Sequence, residues 1–175
     1  MIVRERAPED VPACASALRA VHDADRYPTN WPQDAAGWLT PAGFATAWVA
    51  LDDDGTVLGH VCVVQDVDDP VAAAVAGVAM PHLASVSRLF VAPAARGRGL
   101  GLGATLLAEV EAWSRRHGLQ LMLDVVDDGA PAVQLYERLG WRLVDRRDAD
   151  WVTPQGNRHQ VRIYLAPGEW NRDGI

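Results

Sequence analysis

The run Val91-Ala92-Pro93-Ala94-Ala95-Arg96-Gly97-Arg98-Gly99-Leu100-Gly101 limits what this chain can build more than any other segment. The apolar stretch that ends at Val91 reads as a strand. The stretch that follows carries Leu102, Leu106, Leu107, Val110 and Trp113 at helical spacing. A strand, a turn rich in Gly and Arg, and a helix start form a connection of an α/β type. The glycines let the backbone approach a ligand closely. The unpaired N–H groups of the first helical turn, at the positive end of the helix dipole, then face whatever is bound. Such a connection is an anion site, and a pyrophosphate suits it.

Two common phosphate loops do not fit. A Walker loop needs Lys after its last Gly, and the sequence contains no Lys. The dinucleotide fingerprint needs Gly-x-Gly-x-x-Gly, but Gly97, Gly99, Gly101 and Gly103 are spaced by two. Leu102 or Ala104 then stands where the third Gly belongs. The pattern that fits is Arg-x-x-Gly-x-Gly, Arg96 to Gly101, behind a strand and Val-x-Pro. In this the chain resembles the GCN5-related N-acetyltransferase (GNAT) family, whose acetyl-CoA pyrophosphate loop has that form. A second segment, Leu135-Tyr136-Glu137-Arg138-Leu139-Gly140-Trp141, resembles the family's Leu-Tyr-Glu-x-x-Gly-Phe.

The resemblance covers roughly Ile2 to Leu165 and implies a mixed, mostly antiparallel sheet with helices on both faces. It implies acetyl-CoA as acyl donor and a primary amine as acceptor. Backbone groups near Leu89, Phe90 and Val91 would bond the pantetheine arm. N–H groups from Arg96 through Gly97, Arg98 and Gly99 to Gly101 would hold the pyrophosphate, with the Arg96 and Arg98 side chains adding charge-assisted bonds. Tyr136 would sit beside the cofactor sulfur, where a phenol can protonate the departing thiolate. Two positions depart from the pattern. Gly129 stands where the family often has Asn, and Arg88 stands where many relatives place a Glu as base. His60, His82, Ser87 and Asp124 are the polar residues left as base candidates, with a water chain as the alternative. Acceptor recognition is expected on the loops 23–32 and 66–81, with Tyr27, Trp31 and His82; the competing reading of the first loop is a rigid segment whose Trp31 caps the core. No Cys lies in a nucleophile motif, which favours direct transfer in a ternary complex. The reading from another class is a non-catalytic acyl-CoA-binding or sensing domain.

At 175 residues, 49% hydrophobic and 22% charged, the chain is expected to form one domain over 1–166, with a loosely held tail at 167–175. A net charge of −7 argues against nucleic acid and suits a cationic amine. Cys14 and Cys62 lack metal or redox spacing, so no metal is expected. Reduced, buried thiols in the cytoplasm are the expectation for them. The longest run of small apolar residues, Val71 to Met80, is too short to span a bilayer. Along the chain the pattern predicts a strand at 2–6, a helix from Pro8 to His22 and a short helix capped by Asp34. A hairpin around Asp52-Asp53-Asp54-Gly55, a strand at 83–91 and a nearly unbroken apolar strand at 119–126, buried on both faces, follow. A short helix after Pro131 and a last hairpin at 141–165 complete the order. The segment 66–81 reads as an ordered crossover or a flap. The edges of the last hairpin could serve a homodimer.

Overall fold

A computed structural model describes residues 1–129 and 131–168; the expected tail from 169 on, and Ala130 of the turn before Pro131, lie outside the described residues. The elements are β1 (Ile2–Glu5), α1 (Val11–Asp25), α2 (Ala35–Trp38), β2 (Phe44–Leu51), β3 (Val57–Val64), α3 (Pro70–Ala76), β4 (Leu83–Val91), α4 (Leu102–Arg116), β5 (Gln120–Val126), α5 (Pro131–Arg138), β6 (Arg142–Asp148) and β7 (Gln160–Leu165). Hydrogen-bonded neighbours in the sheet follow the order β1-β2-β3-β4-β5-β7-β6. β4 with β5 is a parallel pair; β1–β2, β2–β3, β5–β7 and β6–β7 are antiparallel. This is the mixed sheet expected.

The described residues form two compact units, one of Met1–Val64 with Val86–Val110, the other of Gln65–Ser85 with the described residues from Glu111 on. In the first, Cys14, Leu18 and Val21 of α1 pack with Leu39, Val49, Val57 and Phe90. In the second, Ala72 and Ala73 of α3 pack with Leu83, Met122, Val161 and Ile163.

Local chemistry explains the element ends. Ala7 cannot cap a helix with its side chain. Asp10 reaches back instead and accepts from the Ala7 N–H at 2.7 Å, while Arg4 holds the same carboxylate at 2.7 and 2.9 Å. The start of α1 is therefore tied down. Asp34 accepts from the Gly37 N–H at 2.9 Å and caps α2 as expected. In the β2–β3 hairpin, Asp52 accepts from the N–H groups of Asp54 and Thr56 at 3.0 and 2.8 Å, and Gly55 turns the chain at φ +80°.

The segment 66–81 is the ordered crossover of the two alternatives, and one expectation, for β5, needs correction. The segment 66–81 contains a helix, α3, started by Asp69, whose carboxylate accepts from the Ala72 N–H at 2.9 Å, with Pro70 in the first turn. The strand β5 is buried only over Leu121, Met122 and Leu123; Asp124 is exposed.

Candidate active site

The glycine loop lies in the first unit. Gly97, Gly99 and Gly101 have φ of +67°, +68° and +60°, and no atom lies within 4 Å of where a Cβ would sit on any of them. Crowding does not demand glycine here; backbone conformation does. Arg98 and Leu100, which alternate with them, are not among the residues of positive φ. Alternating signs of φ turn successive N–H groups to one side, and the resulting concavity binds anions. The loop runs directly into α4, whose first ladder bond is Thr105 N–H to the Gly101 carbonyl at 3.0 Å. The N–H groups of Leu102, Gly103 and Ala104 precede that bond and have no carbonyl within the helix to accept them.

Arg96 and Arg98 differ. The Arg96 guanidinium donates to the Val91 carbonyl at 3.0 Å and pairs with Asp25 at 2.5 Å, so it ties the loop to β4 and α1. Arg98 is exposed. Leu89, Phe90 and Val91 form the end of β4 just before the loop. Tyr27 and Trp31 pack against the core of this unit: Tyr27 meets Trp38 edge-on at 6.0 Å, and Trp31 lies 5.2 Å from the His22 ring. Both are half-buried.

Tyr136 lies in the second unit, on α5, where Pro131 opens the helix. It is 6% exposed, with its ring 5.9 Å from Trp141 and 6.1 Å from Tyr164. Burial, with the Asp124 charge adding to it, pushes the phenol well above its ordinary pKa. The group therefore rests protonated. Trp141 is itself anchored by its indole N–H to Glu111 at 3.1 Å.

The same unit contains a cavity of about 240 Å³. Ser85, Met122 and Asp124 of β4 and β5 line it, together with Asp68 and Asp69 ahead of α3, Asp148 at the end of β6, and Ala149 to Trp151 just after it. Five Asp and one Arg, Arg147, face it. Arg147 is already neutralised, by Asp69 at 2.7 Å and Asp145 at 3.1 Å. An excess of carboxylate around an aromatic wall, Trp151, suits a cationic ligand. Sequence reasoning placed acceptor recognition partly on 66–81, which supplies Asp68 and Asp69. It did not find Asp148, Asp150 or Trp151. His82 ends the turn before β4, is exposed, and is not among the lining residues.

The model of the Acetyltransferase (GNAT) family matches residues 13–141. The chain belongs to the GNAT family. It is 36% identical over 98 residues to an uncharacterised N-acetyltransferase of Schizosaccharomyces pombe, covering 55% of this chain and 52% of that one. It is 35% identical over 117 residues to a mycothiol acetyltransferase of Mycolicibacterium gilvum, covering 62% and 32%. The chain thus spans about half and about a third of these curated relatives. Arabidopsis thaliana NAA60 in complex with acetyl-CoA has the same fold, at TM-score 0.73 and 18% identity, with 94% and 96% covered.

The GNAT positions singled out for a base resolve unevenly. Arg88, in place of a Glu, points its guanidinium over Trp38 at 4.4 Å and donates to the Trp38 carbonyl at 3.2 Å and to Ser87 Oγ at 2.7 Å. Ser87 is therefore an acceptor for Arg88. His60 is fully buried, and burial, assisted by the charges of Arg6 and Arg88, holds its pKa down to about 4. Arg6 Nη1 donates to its Nε2 at 3.0 Å, so Nδ1 carries the proton and donates to the Arg88 carbonyl at 2.9 Å. Both ring nitrogens are engaged, which removes His60 as a base. Asp124, facing the cavity, is the remaining carboxylate candidate. Gly129 has φ +75°, a conformation that an Asn tolerates and most residues do not.

Proposed function

We propose that this protein is an acetyl-CoA-dependent N-acetyltransferase of the cytoplasm, with residues 1–166 as one catalytic domain. It moves the acetyl group directly to a primary amine on a cationic acceptor, within a ternary complex. The observation that carries the reading is the run of alternating positive-φ glycines at the start of α4, directly behind β4. That concavity suits a pyrophosphate in the sign of its charge. The N–H groups from Arg96 to Gly101 hold it, with Arg98 adding charge, and the backbone of Leu89, Phe90 and Val91 bonds the pantetheine amides.

Acetyl-CoA, when bound, supplies a thioester carbonyl open to attack. The acidic cavity draws in the acceptor as an ammonium ion, and Asp124 takes the proton that the nitrogen must lose before it can attack. Tyr136 gives its proton to the sulfur as the carbon–sulfur bond breaks, and bulk water restores both groups. A covalent acetyl-cysteine has no support. Cys14 and Cys62 are fully buried, and burial pushes each thiol up to about 11, far from a nucleophilic thiolate.

Calorimetric titration with acetyl-CoA, with free CoA as control, tests the donor. An amine panel of putrescine, spermidine, L-lysine and an Ala-initiated peptide, read by thiol release, tests the acceptor. Sub-millimolar binding and thiol release with the polycations are expected. Absence of binding at millimolar acetyl-CoA would overturn the reading. Binding without turnover would favour the acyl-CoA sensing domain.

A further inference from the structure

β4 contains a residue that L-amino acids rarely place in a strand. Arg88 has φ +54°, one of three non-Gly positive φ values among the described residues. The strand kinks there, just before the Leu89–Val91 segment. The kink is held from β3. His60, with no exposed surface, donates Nδ1–H to the Arg88 carbonyl at 2.9 Å, and its ring stacks on Phe90 at 5.3 Å and 19°. The far side of the imidazole is fixed as well. Arg6 Nη1 donates to Nε2 at 3.0 Å and to the Leu39 carbonyl at 2.8 Å, and Nη2 donates to Thr40 Oγ1 at 2.9 Å. Every bond in this relay of Arg6, His60 and the Arg88 carbonyl lies within the first unit.

A trans peptide turns its C=O and its N–H in opposite directions. Anchoring the Arg88 carbonyl on His60 therefore aims the Leu89 N–H, which shares that peptide plane, to the opposite side of the strand. We infer that His60 is a positioning residue. Locked between Arg6 and the Arg88 carbonyl, it fixes the kink of β4 and directs the Leu89 N–H at the acyl oxygen that gains negative charge during transfer. The inference rests on the acetyl-transfer reading above. It gives a buried histidine, which cannot act as base, a role in the rate that requires no proton exchange.

The two ends of the imidazole separate in mutants. In His60→Asn the amide nitrogen falls near the place of Nδ1 and keeps the bond to the Arg88 carbonyl. In His60→Gln the amide falls near Nε2 and keeps only the Arg6 side. The measurements are kcat for thiol release from acetyl-CoA with the fastest amine of the panel, hydrolysis of acetyl-CoA by water, the calorimetric Kd for free CoA, and Tm. His60→Gln should lower kcat and hydrolysis about 30-fold, less than the loss of a whole oxyanion donor. Its Kd for free CoA should change far less than its kcat, because free CoA has no acyl oxygen to meet the Leu89 N–H. His60→Asn should recover most of the rate at a similar Tm. Equal losses in Asn and Gln that follow Tm would show a packing role and overturn the inference. So would a wild-type rate in a folded His60→Gln. Absence of acetyl-CoA binding in the wild type would overturn the acetyl-transfer reading itself, and the inference with it, and is told apart by the titration alone.

Discussion

Tyr136 and His60 are both buried and each rests in one protonation state near neutral pH, yet for opposite reasons. The phenol is held protonated; the imidazole is held neutral by burial and two flanking arginines. Tyr136→Phe removes only an oxygen from a packed ring. We expect kcat to fall about 100-fold, the scale of one acid–base contribution. The Kd for acetyl-CoA should change little, and unchanged turnover in steady-state assays would remove Tyr136 from the chemistry. For His60 the consequence is a pH-dependent stability. Its folded pKa, about 4, lies below the ordinary 6.5, so between those values the unfolded chain binds the extra proton. Stability is fully present above pH 6.5 and falls as pH drops toward 4, by about 3 kcal/mol at the limit. Urea unfolding at pH 7 and pH 4.5 should show the loss, and His60→Asn should flatten it. The histidine was legible in the sequence only as a candidate base. Its locked state depends on Arg6 and on the Arg88 carbonyl, 54 and 28 positions away.

At the scale of elements, the strand, glycine turn and helix could be read because every part is local: Pro93, the glycines and the apolar spacing of α4 are neighbours in sequence. Gly99 shows what that locality demands. At φ +68° with open space around it, Gly99→Val adds no clash but strains a β-branched residue by about 1–2 kcal/mol and turns its N–H away. The expected result is at least a 100-fold loss of acetyl-CoA affinity with Tm lowered by only a few degrees; normal affinity would refute the loop assignment. α3 escaped reading for the converse reason. Its Ala/Val run has no polar face to set a period, although Asp69-Pro70 carried a helix start signal. The acidic cavity escaped because Asp68, Asp124 and Asp150 are far apart in sequence and meet only in the folded chain, which no local pattern encodes.

For the molecule as a whole, charge is the property with the longest reach. A net −7 and a cavity lined by five Asp should draw in polycations and do little for a monocation. Raising ionic strength from about 0.05 to 0.5 M shortens the screening length roughly threefold. The KM for spermidine should then rise several-fold more than the KM for a monoamine such as glycinamide. Equal slopes would move acceptor recognition away from the cavity.

The two thiols have a practical consequence. Cys14 and Cys62 have no exposed surface in the folded protein and no disulfide between them. A chromogenic disulfide reagent added to the native enzyme should titrate none of them, so all colour in a turnover assay reports liberated CoA. After denaturation the same reagent should count two per chain. The protein thus carries its own gauge of how much of a preparation is folded, readable in the cuvette that measures its rate.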